Sequence, residues 1–132
     1  MQKNQIILKK NYHHNLKKHQ FGEFAEKFIM IILWIKGYKI LKHRFRSNCG
    51  EIDIIAFKNN QIIFIEVKAR YKNYHIENIL TNHQIVRIKN SAQFFINKNS
   101  HLKKYRYRFD FIEVSPWHFG ILKFRHRINF IS

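Results

Sequence analysis

Two adjacent asparagines, Asn59 and Asn60, stand between two stretches dominated by Ile, Phe and Val, Glu51–Phe57 and Gln61–Arg70. A two-residue type I′ turn needs positive φ at both central positions, which Asn tolerates, so the segment predicts a tight β-hairpin. Counting outward from the turn pairs Lys58 with Gln61, Asp53 with Glu66 and Glu51 with Lys68. Side chains 51, 53, 66 and 68 then share one face, because strand side chains alternate with period two. The apolar Ile52, Ile54, Ile63, Ile65 and Val67 mark this as a central strand pair.

The rest of the chain builds on that hairpin. Tyr38–Arg46 reads as a strand leading into it through Ser47-Asn48-Cys49-Gly50, which carries turn chemistry. From Phe21 to Lys36 apolar residues fall on more than one face, as in a helix packed on most sides, and Gly37 stands where a C-terminal cap belongs. Between Thr81 and Asn97, Ile85, Ile88, Ala92 and Phe95 recur at helical spacing, with Gln84, Arg87, Asn90 and Ser91 off that stripe. Tyr105–Val114 and Ile121–Ile128 alternate again around the Ser115-Pro116 turn region. The order αβββαββ predicts an α/β domain with a mixed central sheet flanked by helices, the first on one face and the second packed beside it.

A length of 132 residues fits one core. Residues 20–132 are read as that single domain. Residues 1–19 hold eight Lys or His and no acid, and read as a basic arm without fixed structure until it meets a polyanion. At 45% hydrophobic and 16% aromatic, with one Pro and four Gly, the chain is too apolar for disorder and too poor in Gly and Pro for a fibre. The longest apolar stretch, Phe28–Ile35, is far short of a bilayer span. No export signal is visible at the N-terminus, and the single Cys49 fits a reducing compartment. The expectation is a cytoplasmic protein with no membrane partner.

Against 25 Lys and Arg stand only 8 Asp and Glu, a formal net charge of +17, which points to a polyanion as partner, nucleic acid first. In so basic a chain the acids are informative. Glu26, Glu51, Asp53 and Glu66 make up half of them, and three fall in the one hairpin. Facing carboxylates destabilise a sheet unless a positive charge lies between them. A divalent cation would supply it, and oxygen ligands on a rigid hairpin suit Mg²⁺, or Mn²⁺ in its place, which takes one or two protein carboxylates beside substrate phosphates. Lys68 would then stand beside the metal, placed to steady charge growing on a phosphorus-bound oxygen. The plain alternative is a solvated ladder in which Glu51 and Glu66 pair with Lys68 and Arg70.

Three segments carry a resemblance: Gly22-Glu23-Phe24-Ala25-Glu26, Gly50-Glu51-Ile52-Asp53-Ile54-Ile55, and Phe64-Ile65-Glu66-Val67-Lys68-Ala69-Arg70. In that order and spacing they resemble the YraN family of predicted endonucleases, related to archaeal Holliday junction resolvases, and the wider restriction-endonuclease-like pattern of Asp followed by Glu-x-Lys. The resemblance runs from about Phe21 to Val114 and includes Arg108-Phe109-Asp110. It implies a restriction endonuclease-like core, a metal site from Asp53 and Glu66, Lys68 as catalytic lysine, and Glu26 reaching in from the first helix. Two residues depart from the family pattern: Arg44 replaces a usual Asn, and Gln84 replaces a usual Lys. Gln84 brings no charge, and Arg87, one turn on, could supply the cation instead.

Arg106 and Arg108 alternate with Tyr105, Tyr107 and Phe109, while Lys123, Arg125 and Arg127 alternate with Phe124 and His126. Each strand thus offers one cationic face suited to phosphates. Nothing resembles a base-reading helix or a zinc finger. The leading expectation is a Mg²⁺-dependent endonuclease hydrolysing phosphodiester bonds, with DNA ahead of RNA and branched or damaged DNA in view. A non-catalytic binding module of the same fold and an RNA-processing nuclease are the alternatives, and a homodimer is left open. Cys49 lacks a sequence-adjacent base and reads as a bystander.

Overall fold

A computed structural model describes residues 2–69, 80–116 and 121–131. Its elements, in chain order, are α1 (Gln2–Ile35), β1 (Lys39–Ser47), β2 (Gly50–Lys58), β3 (Gln61–Ala69), α2 (Asn82–Lys98), a single 3-10 turn (Ser100–Leu102), β4 (Arg106–Pro116) and β5 (Leu122–Ile131). The expected order of helices and strands is reproduced. Arg70, expected to end the third strand, lies outside the described residues, as does 117–120 of the β4–β5 connection.

The five strands form one mixed sheet in the order β1-β2-β3-β4-β5. β3 and β4 run parallel and the other neighbours antiparallel. Parallel neighbours require a crossover, and α2 lies in it. The hairpin behaves as its turn residues demand: Asn59 and Asn60 have φ of 51° and 57°, and Lys58 pairs with Gln61. β3, covered on both faces, is a near-continuous apolar run. Its Ile63, Ile65 and Val67 join Ala25, Ile29 and Leu33 of α1 in one cluster, while Ile62 and Phe64 join Ile88, Ala92, Phe95 and Ile96 of α2 in another. The two helices therefore pack on opposite faces of the sheet, not side by side as expected.

α1 departs most from expectation. It is one helix of 34 residues, so the basic segment at residues 2–19 is helical, not structureless. Residues 2–20 contain no Gly or Pro to stop it. Only its C-terminal half touches the sheet, through Ala25, Ile29 and Leu33 at successive i+4 steps, while Ile6, Ile7, Leu8, Tyr12 and Leu16 are exposed. The helix ends as Gly37 requires. At φ +83° its N–H bonds Trp34 O at 3.0 Å and the Tyr38 N–H bonds Leu33 O at 2.9 Å, a Schellman closure. α2 begins with a capping box: the Gln84 N–H bonds Thr81 Oγ1 at 3.2 Å, and the Thr81 N–H bonds Gln84 Oε1 at 2.9 Å. That gives Gln84 a structural task in place of the charged role a Lys would have there.

Candidate metal and nucleic-acid site

The hairpin carries an irregularity at its acid. Ile54 and Ala56 point to the α1 cluster and Ile55 to the α2 cluster, as alternation requires, but Ile52 also points to the α2 cluster. A regular strand would put Ile52 with Ile54, so the period breaks at Asp53. On the neighbouring strand Arg44 has φ +52°, the left-handed region that a long side chain rarely adopts. The β2–β3 ladder runs from Lys58↔Gln61 to Ile54↔Ile65 in the expected register. At the next step Asp53 Oδ2 accepts the Val67 backbone N–H at 2.8 Å. The aspartate takes the place of a ladder partner, at the end of the sheet where β3 and β4 finish.

Asp53 is mostly buried and meets Glu66. Burial, then the charge of Glu66, push its carboxyl from 3.8 to about 8, against the lowering effect of the Val67 bond. The Glu26 charge and a hydrogen bond shared with Glu66 add to the rise. At neutral pH Asp53 thus holds a proton. Lys68 Nζ lies 3.1 Å from Glu66 Oε1. Asp53 thus meets Glu66, and Lys68 pairs with Glu66. Glu51 does not join them: it pairs across the β1–β2 hairpin with Arg46, at 3.2 Å in solvent.

Glu26 comes near enough for Asp53 to feel its charge, but its carboxylate is engaged. His43 Nε2 donates to Glu26 Oε2 at 2.8 Å and Arg44 Nε donates to the same oxygen at 3.0 Å. Arg44 Nη1 continues to Glu23 Oε1 at 3.3 Å. Glu26 is therefore the anchor of a His-Arg pair beside the site, not a free ligand. The sequence singled out Arg44 only as a family departure and gave no sign of His43, because the contact joins residues 17 apart on a helix and a strand.

The cationic residues divide into two groups. Leu122 and Phe124 pack with the α1 cluster, so Lys123, Arg125 and Arg127 face the α2 side, the side of Glu66 and Lys68. Pairing sets Lys68, Glu113 and Arg125 in one row across β3, β4 and β5. Lys123 and Arg125 are exposed, and Arg127 Nη2 lies 3.6 Å from Glu113 Oε2. Arg87, exposed on α2, donates from Nε to Cys49 O at 3.4 Å over the turn that precedes Glu51.

Arg106 and Arg108 do not extend this surface. Arg106 borders an open depression with Asn59, Asn60 and Lys104, at the hairpin-turn end of the sheet away from Asp53. Arg108, expected to grip phosphate, has its guanidinium committed to the protein. It bonds Asp110 twice, Nε to Oδ1 at 3.0 Å and Nη2 to Oδ2 at 3.2 Å, and also Gln61 Oε1 at 2.9 Å and Tyr38 Oη at 3.2 Å. His126 Nε2 and the Asn129 N–H complete the shell of Asp110, at 2.8 and 2.9 Å. The alternation that exposed a cationic face in the sequence could not reveal the anion beneath it.

Among the described residues no cluster of three or more His, Cys, Asp or Glu side chains could hold a metal ion. The carboxylate pair Asp53 and Glu66 still fits Mg²⁺, which needs only one or two protein carboxylates. No helix among the described residues is long and apolar enough to cross a membrane.

The molecule is thus a mixed α/β protein with an acid pair and a lysine at one end of its sheet. The model of the Uncharacterised protein family UPF0102 matches residues 25–114. A UPF0102 protein of Caldanaerobacter subterraneus is 38% identical over 118 residues, covering 86% of this chain and 96% of its own. One from Ehrlichia ruminantium is 42% identical over 102 residues, 77% of this chain and 78% of its own. One from Campylobacter hominis is 37% identical over 100 residues, 76% and 88%. The chain belongs to the UPF0102 family, the YraN family of the sequence resemblance.

Proposed function

We propose that the chain is a metal-dependent phosphodiesterase of the restriction endonuclease-like class, acting on nucleic acid and on DNA before RNA. One observation carries the reading: a mostly buried aspartate beside a glutamate, forming no ion pair among the described residues, with a lysine on the next outward position of the glutamate's strand face. Buried acids without compensation are costly, and proteins usually pair them. Asp53 and Glu66 are the residues that would hold Mg²⁺ or Mn²⁺. When bound there, the ion would supply Lewis acidity toward a phosphoryl oxygen. Lys68, positioned by Glu66, places an ammonium where negative charge grows as a phosphodiester is attacked. Lys123 and Arg125 lie on the same face and would hold flanking phosphates.

The test is a cleavage assay with Mg²⁺ or Mn²⁺ on single-stranded, duplex and branched DNA and on structured RNA, with Asp53→Asn and Lys68→Ala purified identically. Metal-dependent cutting should disappear in both variants, and nucleic-acid binding should survive in Asp53→Asn. A wild type that cuts none of these while binding them would make the chain a binding module instead.

A further inference from the structure

On the α2 side of the sheet β4 is left partly uncovered, and a trough of about 340 Å³ opens between it and α2. That volume lies within the ~300–1,000 Å³ span of small-molecule sites. Tyr107 and Phe109 form its floor, and Lys89, Asn90, Gln93 and Ile96 form its wall. Tyr107 is fixed by edge-to-face contacts with Phe64 and Phe109, with centroids 6.3 and 6.0 Å apart, yet 51% of it is in solvent. A held, half-exposed aromatic ring beside amide groups is a stacking platform with hydrogen-bonding neighbours.

The trough opens on the same face of the sheet as Glu66 and Lys68. Tyr107 pairs with Ile62 and Phe111 with Glu66 along the parallel β3–β4 ladder. Four residues at roughly 3.3 Å each put Tyr107 about 13 Å from the acid pair along the same face. Level with Glu66, one strand beyond β4, Arg127 pairs with Phe111 and lies 3.6 Å from Glu113. The aromatic floor and Glu66 thus lie on one face of the sheet.

We propose that this trough receives an unstacked nucleobase from the strand whose phosphate reaches Asp53 and Glu66, with Tyr107 as its stacking surface. The proposal rests on the nucleic-acid reading above and narrows its substrate to strands with unpaired bases a few nucleotides from the cut. Duplexed bases are stacked on one another and cannot enter.

The experiment measures binding in EDTA to three fluorescein-labelled probes: a short oligothymidylate, an abasic strand of the same length, and a blunt duplex. Tyr107→Ala should weaken oligothymidylate binding by about 5- to 150-fold, the range for one base stacked on an aromatic side chain. Abasic and duplex affinities should stay within about twofold. Tyr107→Leu, which keeps an apolar side chain against Phe64 and Phe109, should behave like Tyr107→Ala, and Tyr107→Trp should bind like the wild type. Equal losses on all three probes, or Tyr107→Leu binding like the wild type, would overturn the proposal while leaving the nuclease reading intact. Failure of the wild type to bind any probe would overturn both.

Discussion

Two aspartates stand in the same sheet, Asp110 buried and Asp53 half-buried, and their surroundings differ in kind. Burial opposes ionisation of both. At Asp110 the bonds from His126, Arg108 and the Asn129 N–H outweigh it, and the carboxyl falls below its ordinary value. At Asp53 a single backbone N–H opposes burial and two neighbouring acids, and the carboxyl rises to about 8. One aspartate is ringed by donors, and the other by acids. The difference separates an acid that holds the fold from one that fits a binding site, which composition alone cannot do.

The contrast breaks most visibly by deletion. Asp110→Ala leaves Arg108 and His126 facing an empty pocket and frees the Asn129 N–H, so it should destabilise the fold by about 3–5 kcal/mol in urea unfolding. Asp53→Asn should cost less than about 1 kcal/mol at neutral pH, because a neutral side chain replaces one already protonated. Equal losses would erase the distinction.

Stability against pH sharpens it. The folded carboxyl of Asp53 lies above its unfolded value of 3.8. Between about 4 and 8 the folded protein keeps a proton that the unfolded chain has released, so stability falls as pH rises, by up to ~1.4 kcal/mol per pH unit. Asp110 works the other way: its contribution is present above the unfolded value and is lost as pH falls through its lowered folded value. Asp53→Asn should flatten the neutral-side slope and leave the acid-side loss unchanged, as read by thermal melts across pH.

How far the sequence revealed these regions follows from what each depends on. The hairpin register was legible because a two-asparagine turn and a period-two pattern fix it locally. The nearness of Asp53 to Glu66 followed by counting, although the ladder itself stops at Ile54 and Ile65. The break of alternation at Asp53 did not, since the same residues would suit a regular ladder and only packing sends Ile52 and Ile55 to one side. The Asp110 shell was illegible for a different reason: it joins Gln61, Tyr38, His126 and Asn129 across large sequence separations. Arg108 consequently read as a surface cation.

The cationic surface should show smaller effects than the acids. Lys123→Ala with Arg125→Ala should reduce the slope of log affinity against log salt on duplex DNA by roughly 1.8, about 0.9 for each phosphate no longer neutralised. An unchanged slope would remove β5 from the interface. Smaller still, Thr81→Ala breaks the capping box away from both aspartates and should cost about 1 kcal/mol of stability with no change in either pH slope.

The central claim is that the missing partner of Asp53 is a divalent cation, and the most direct measurement is proton release on cation binding. Titrating Mn²⁺ into the protein at pH 7 in buffers of different ionisation enthalpy should show binding that expels close to one proton. The release should fade as pH rises past about 8 and vanish in Asp53→Asn. Binding with no proton released at pH 7, or release unchanged in Asp53→Asn, would contradict the account.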